Sequence, residues 1–197
     1  KCKHKIGDKW EAFANFWRTT QLEYTWLRSL MKRHKNFWQV TEDSLDKSIK
    51  TFNIDSSMKN ELLNLYKILS PYKEVSETLK ALKEKKFKLA ILSNGTPSLL
   101  NELVKSNNLN NLFDDIFSIE EVGVYKPDSK VYDIPVKKYK IKKDEIAFLS
   151  ANTWDVSGGG NYGYQAIWVN RNNNIFDNLD FKPKLEIKNL SGLLSKL

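Results

Sequence analysis

A single cysteine, Cys2, is all the thiol that 197 residues contain, so no internal disulfide can form and a reducing compartment, the cytoplasm, is expected. No run of about 18 apolar residues is present to span a bilayer. The first residues, KCKHKIGDKW, lack the apolar core of a secretory signal. Internal repeats, long linkers and nucleic-acid motifs are absent too. A net charge of +8 raises the question of a polyanionic partner, because a basic face gathers phosphates. The lysines, however, are spread along the chain and mixed with acids, as in LKALKEKKFK and KKYKIKKDE, which is the pattern of a solvated surface. We therefore expect a soluble protein that binds neither nucleic acid nor membrane, with positive charge to spare for a small anion.

The hydrophobic content, 41%, suffices for one α/β core with a small helical insert. Trp10, Phe13, Trp17, Tyr24, Leu27 and Met31 step by three, four or their sum, which marks one face of a long helix starting near Asp8. Thr41 followed by Glu42 and Asp43 reads as the N-cap of a second helix. Met58, Leu62, Leu65, Tyr66 and Leu69 mark a third, closed by Pro71. Beyond it the pattern alternates. Helices over 74–85, 97–107, 129–139 and 155–162 separate the apolar runs FKLAILSN, DIFS, EIAFLS and AIWVN, and the tail LEIKNLSGLLSKL reads as an edge strand and a helix. NRNNNIFDN is a surface loop. Such alternation implies a parallel sheet covered on both faces, with ligands at the carboxyl ends of the strands.

Three strand ends or adjoining loops carry polar sets: Ser93, Asn94 and Gly95 after LAIL, Tyr125, Lys126 and Pro127 after EVGV, and Ser150, Asn152 and Asp155 after IAFL. Each alone has a plain structural reading. Ser and Asn form turns, a lysine before proline is an ordinary loop residue, and Asp155 serves as a helix N-cap. Their order, each at an exit where the fold rule places ligands, favours a site.

QLEYTWLRSLM, PYKEVSETLKALK, LAILSNGTP, EVGVYKPDSKVY and SANTWD, in this order, resemble successive signatures of the L-2-haloacid dehalogenases of the haloacid dehalogenase superfamily, over Trp10 to Arg171. The resemblance implies a Rossmann-like core, residues 73–197, with a helical cap, residues 1–72, and a first core strand upstream of residue 1. It implies cofactor-free hydrolysis of short (S)-2-haloalkanoic acids to (R)-2-hydroxy acids through an aspartyl ester, and a homodimer, for which Trp26 and Leu30 on the cap helix would be exposed apolar contacts. Residue by residue, it assigns Ser93 and Asn94 to the substrate carboxylate or the nucleophile, and Lys126 to negative charge beside the nucleophile. Arg18 would receive the halide; by itself it also reads as a surface arginine on an amphipathic helix. Asn152 and Asp155, supported by Ser150, would position the hydrolytic water, and Tyr132 would support them. Leu22, Phe37 and Trp154 would form the apolar wall, although helical spacing explains Leu22 and Phe37 equally well as core.

Superfamily phosphatases bind magnesium through a pair of acids where this chain reads Ser150, Ala151, Asn152, Thr153, Trp154, Asp155, so only one of the two acids is present. That favours dehalogenation, with no metal, over phosphoryl transfer. The family nucleophile follows a hydrophobic strand about thirty residues before the matched arginine, whereas 17 residues precede Arg18 and no acid among them follows such a strand. It is expected upstream. The alternative is a homologue that binds carboxylates without turnover. Three smaller departures stand beside these: Ala151 replaces a common serine, Pro135 should delay or kink its helix, and Gly158, Gly159 and Gly160 cost about 1 kcal/mol each in a helix with no evident return.

Overall fold

The computed structural model describes residues 2–196, and every element up to Lys67 is helical. A short α1 (Lys3–Ile6) leads through one 3-10 turn into α2 (Trp10–Leu30), whose apolar stripe packs on α3 (Phe37–Phe52). Phe13, Trp17, Leu45, Ile49, Leu62 and Leu63 form the buried centre of this layer, with α4 (Lys59–Asn64) closing it. The stripe ends earlier than its spacing predicts. Leu27 and Met31 are 50% and 60% exposed because the last turn of α2 runs past α3. The cap of α3 also differs from expectation. Asn36 takes that role, its side chain accepting from the Gln39 amide, and Thr41 lies within the helix with its hydroxyl donating to the Phe37 carbonyl. The third predicted helix is broken, with 3-10 turns on both sides of α4.

From Val75 the chain alternates. α5 (Val75–Glu84), β1 (Ala90–Ser93), α6 (Pro97–Ser106), β2 (Asp115–Ser118), α7 (Ser129–Tyr139), β3 (Ala147–Ser150), α8 (Thr153–Tyr162), β4 (Gln165–Val169) and β5 (Leu185–Ile187) follow one another, and a 3-10 helix replaces the α-helix expected at the tail. α7 runs unbroken through Pro135, which is buried in it. All strand pairings are parallel, as predicted, but they do not make one sheet. β1 pairs with β2, and β3 pairs with β4, which pairs with β5. Among the described residues no strand pairs with the second edge of β1 or of β3. Those two edges face one cavity of about 990 Å³, which touches every residue from Leu89 to Asn94 and from Ile146 to Ala151. Successive strand residues point to opposite faces, so a space that meets all of them borders the strands edge-on. It is a slot between two half-sheets. Leu92 and Leu149, on central strands that would ordinarily be covered, are left half-buried beside it.

The helical layer meets the α/β part through Val40, Tyr24 and Phe37, which pack on Ile119, Tyr125 and Val131. Trp26 is half-buried rather than exposed, because its ring meets Trp154 edge-on at 5.6 Å. Leu30, at 79% exposure, is the outward residue of that pair.

Candidate active site

The slot opens at the carboxyl ends of β1 and β3, and the polar residues there arise from local chain geometry. After β1 the Ser93 hydroxyl accepts from the Gly95 amide, which turns the chain towards α6, and Asn94 Oδ1 accepts from the Lys126 amide at 3.4 Å. The Lys126 side chain then runs back beneath β1. Its Nζ donates to the Leu92 carbonyl at 2.9 Å and to Asp155 Oδ2 at 3.1 Å. After β3 the Ser150 hydroxyl donates to the same Asp155 Oδ2 at 2.9 Å and accepts from the Asn152 amide. Tyr132 donates to Asp155 Oδ1 at 2.8 Å. Both oxygens of Asp155 are therefore engaged by three donors, on a residue only 4% exposed.

Such a buried ion pair is held by geometry rather than by cheap electrostatics, since desolvating both charges costs much of what their attraction returns. Burial lowers the Lys126 pKa, and Asp155 works against that shift. Burial first, then the charge of Asp155, pushes the Tyr132 phenol up, so Tyr132 stays a hydrogen-bond donor at neutral pH. The glycines of α8 acquire a reason here. A Cβ on Gly158 would lie 2.5 Å from the Tyr132 hydroxyl and 2.7 Å from Pro127 Cβ, and one on Gly159 would lie 2.6 Å from the Phe148 ring. Absent side chains let α8 sit close enough for Asp155 to reach Lys126, Tyr132 and Ser150 together.

Arg18, Leu22 and Phe37 line the same cavity from the helical layer, together with Ser93, Asn94, Lys126, Ser150, Asn152, Trp154 and Asp155. Ten of the eleven residues to which the resemblance assigns roles thus border one space, and Tyr132 stands behind it, fully buried. Arg18 is open to the cavity, yet the surrounding protein lowers its pKa by desolvation, with Tyr66 opposing the shift. No acid forms an ion pair with it among the described residues. Cavity-lining acids are Asp155, fully bonded, and Glu145, which caps Lys142 at the far end of β3. Neither presents a free carboxylate at the polar end. No three His, Cys, Asp or Glu side chains gather among the described residues as a metal site.

Sequence reasoning passed over Gln21, and read Thr41 only as a helix cap and Tyr66 only as part of an apolar stripe. Gln21 is fully buried and hydrogen-bonds Arg18, Thr41 and Tyr66. A signal existed: the seven-residue step from Trp17 to Tyr24 in the apolar stripe skips the polar residue at i+4, which is Gln21.

The profile of the haloacid dehalogenase-like hydrolases matches residues 11–169. The (S)-2-haloacid dehalogenase of Pseudomonas putida is 38% identical over 194 residues, 98% of this chain and 86% of that protein. A crystal structure of a dehalogenase superposes with a TM-score of 0.95 at 33% identity, over 98% of this chain and 87% of the other. The L-2-haloacid dehalogenase of Xanthobacter autotrophicus with chloropropionic acid covalently bound superposes with a TM-score of 0.87 at 28% identity, over 96% and 87%. Fold, sequence and the order of the strand-exit residues agree, and the chain belongs to the haloacid dehalogenase-like hydrolases.

Proposed function

We propose that this protein, as a metal-independent (S)-2-haloacid dehalogenase, hydrolyses short (S)-2-haloalkanoic acids to (R)-2-hydroxy acids. The observation that carries the reading is the meeting, in one cavity, of an unpaired arginine, an apolar wall and the Lys126–Asp155–Ser150 cluster. Relatives named as (S)-2-haloacid dehalogenases, and a relative holding chloropropionic acid covalently, support it. In this reading residues 1–72 are the cap and 73–197 the core. A parallel strand preceding residue 1 fills the slot between β1 and β3, and its aspartate arrives at the polar end beside Lys126. Lysine has three N–H donors, two of which hold Leu92 and Asp155, and the third serves that carboxylate.

The aspartate attacks the carbon bearing the halogen from the side opposite the leaving group, halide departs towards Arg18, and configuration inverts. Ser93 and Asn94 hold the substrate carboxylate, while Leu22, Phe37 and Trp154 exclude water and so strengthen the electrostatic contacts. Water placed by Asn152 and Asp155 then cleaves the aspartyl ester. The hydroxy acid and a proton leave, and the carboxylate is restored. A cytoplasmic homodimer completes the proposal, supported by the lone buried Cys2 and by the exposed Leu27, Leu30 and Met31.

Halide release from (S)- and (R)-2-chloropropionate tests this, using protein that carries the upstream strand and, in parallel, residues 1–197 alone. The longer protein should release chloride from the S form only, and the shorter should release none. Equal release by the shorter protein would sink the slot assignment. No release by the longer one would sink dehalogenation.

A further inference from the structure

The cavity wall formed by Arg18 rests on a polar network inside the helical layer. Gln21 Oε1 accepts from Arg18 Nη1 at 3.0 Å and from the Tyr66 hydroxyl at 3.3 Å. Gln21 Nε2 donates to Thr41 Oγ1 at 2.7 Å, and the Thr41 hydroxyl in turn donates to the Phe37 carbonyl at 2.7 Å. Gln21 and Thr41 are both fully buried. The direction of every bond follows from one fixed point. A backbone carbonyl only accepts, so Thr41 spends its proton on Phe37 and must accept from Gln21; the amide NH2 of Gln21 therefore faces Thr41 and its oxygen faces Arg18. The other end agrees, since a guanidinium only donates. The amide cannot flip without breaking both ends.

We propose that Gln21 is a positioning residue for halide departure, holding the Arg18 guanidinium at the cavity wall in an orientation dictated by α3 through Thr41. This rests on the reading that Arg18 receives the halide. An amide suits the task better than an acid. It anchors one edge of the guanidinium while leaving the positive charge uncancelled for the anion, whereas an isosteric carboxylate would pair with that charge. Tyr66 fills the second lone pair of the same oxygen and keeps it from turning.

The test compares kcat/KM for (S)-2-chloro- and (S)-2-bromopropionate in protein that carries the nucleophile strand. kcat/KM covers the steps through carbon–halogen cleavage, so slow ester hydrolysis does not mask the effect. Chloride, the poorer leaving group, needs more help. Gln21→Glu and Gln21→Leu should lower chloride release about ten- to a hundredfold, and more than bromide release. Thr41→Val should give the same raised bromide-to-chloride ratio, and Thr41→Ser should keep the parent ratio. Because Gln21 acts through Arg18, the double variant Arg18→Lys, Gln21→Leu should be no slower than Arg18→Lys alone. Equal losses with both halides, or additive losses in the double variant, would overturn the proposal. If the parent protein releases no halide, the dehalogenase reading fails by itself. Gln21 is then judged on residues 1–197 by titrating bromide against the Arg18 Nε–H resonance, where Gln21→Leu should abolish the shift and an unchanged titration would refute its role.

Discussion

Lys126→Met removes the ammonium from a carboxylate with almost no exposure, and what remains determines the cost. Asp155 would keep Tyr132 and Ser150 as donors but lose its charged partner. Removing one member of a buried pair costs about 3–5 kcal/mol. The adjoining cavity admits water, and two hydrogen bonds survive, so the expected loss is about 3 kcal/mol. In a chain of this size each kcal/mol lowers Tm by about 2–4 °C, so the variant should melt about 6–12 °C lower. The converse variant, Asp155→Asn, leaves a buried ammonium that has an escape. Burial already sets the Lys126 pKa below 10.5, and Asp155 is the group that raises it back, so without Asp155 it falls further. Between that lowered value and 10.5 the unfolded chain holds a proton that the folded one does not, so stability rises with pH across the window. Asp155→Asn should therefore regain stability as the solution is made alkaline. Replacing both residues, as Lys126→Met with Asp155→Asn, should cost less than the two single losses added together, because it leaves neither charge stranded. Urea unfolding at pH 7 of the four proteins closes the cycle. A coupling energy below about 0.5 kcal/mol would refute the view that these residues form one buried unit.

Gly158→Ala should cost about 1–3 kcal/mol in urea unfolding, because Pro127 and Tyr132 both stand in the way. Gly160→Ala should be nearly neutral, since its obstacle is the half-buried Phe181 ring, which can swing aside. Activity should fall on an alkaline limb set by deprotonation of Lys126, and the limb should vanish in Lys126→Arg even if its rate is lower; a limb kept in that variant would remove Lys126 from the charge balance. EDTA should leave halide release unchanged, because Asn152 stands where a second acid would ligate magnesium.

The helices and strands were legible because their signals are local. Pro97 after Thr96 announces α6, and the apolar run before Ser93 announces β1. Thr41 misled for the same reason. Threonine before two acids is a good cap in isolation, but Asn36 lies five residues earlier with a free backbone amide in reach, and burial turned Thr41 inward. Pro135 misled because the packing of α7 outweighs one lost hydrogen bond. The site divides along the same line. Strand-exit residues could be found because the fold rule says where to look, whereas Gln21 draws its meaning from two partners on other elements, 20 and 45 residues away. The slot lay furthest from local reading, for no residue encodes it; only the family resemblance, with its core strand expected upstream of residue 1, anticipated it. Alternation of strand and helix predicts how many strands are parallel, but not that β1 and β3 stand on opposite sides of a space with their edges unpaired. That space is also where the chemistry converges. Lys126 bridges it by holding the Leu92 carbonyl of one half-sheet and Asp155, just beyond the end of the other, so the side chain proposed to serve the nucleophile ties together the two walls of the slot in which that nucleophile is proposed to sit.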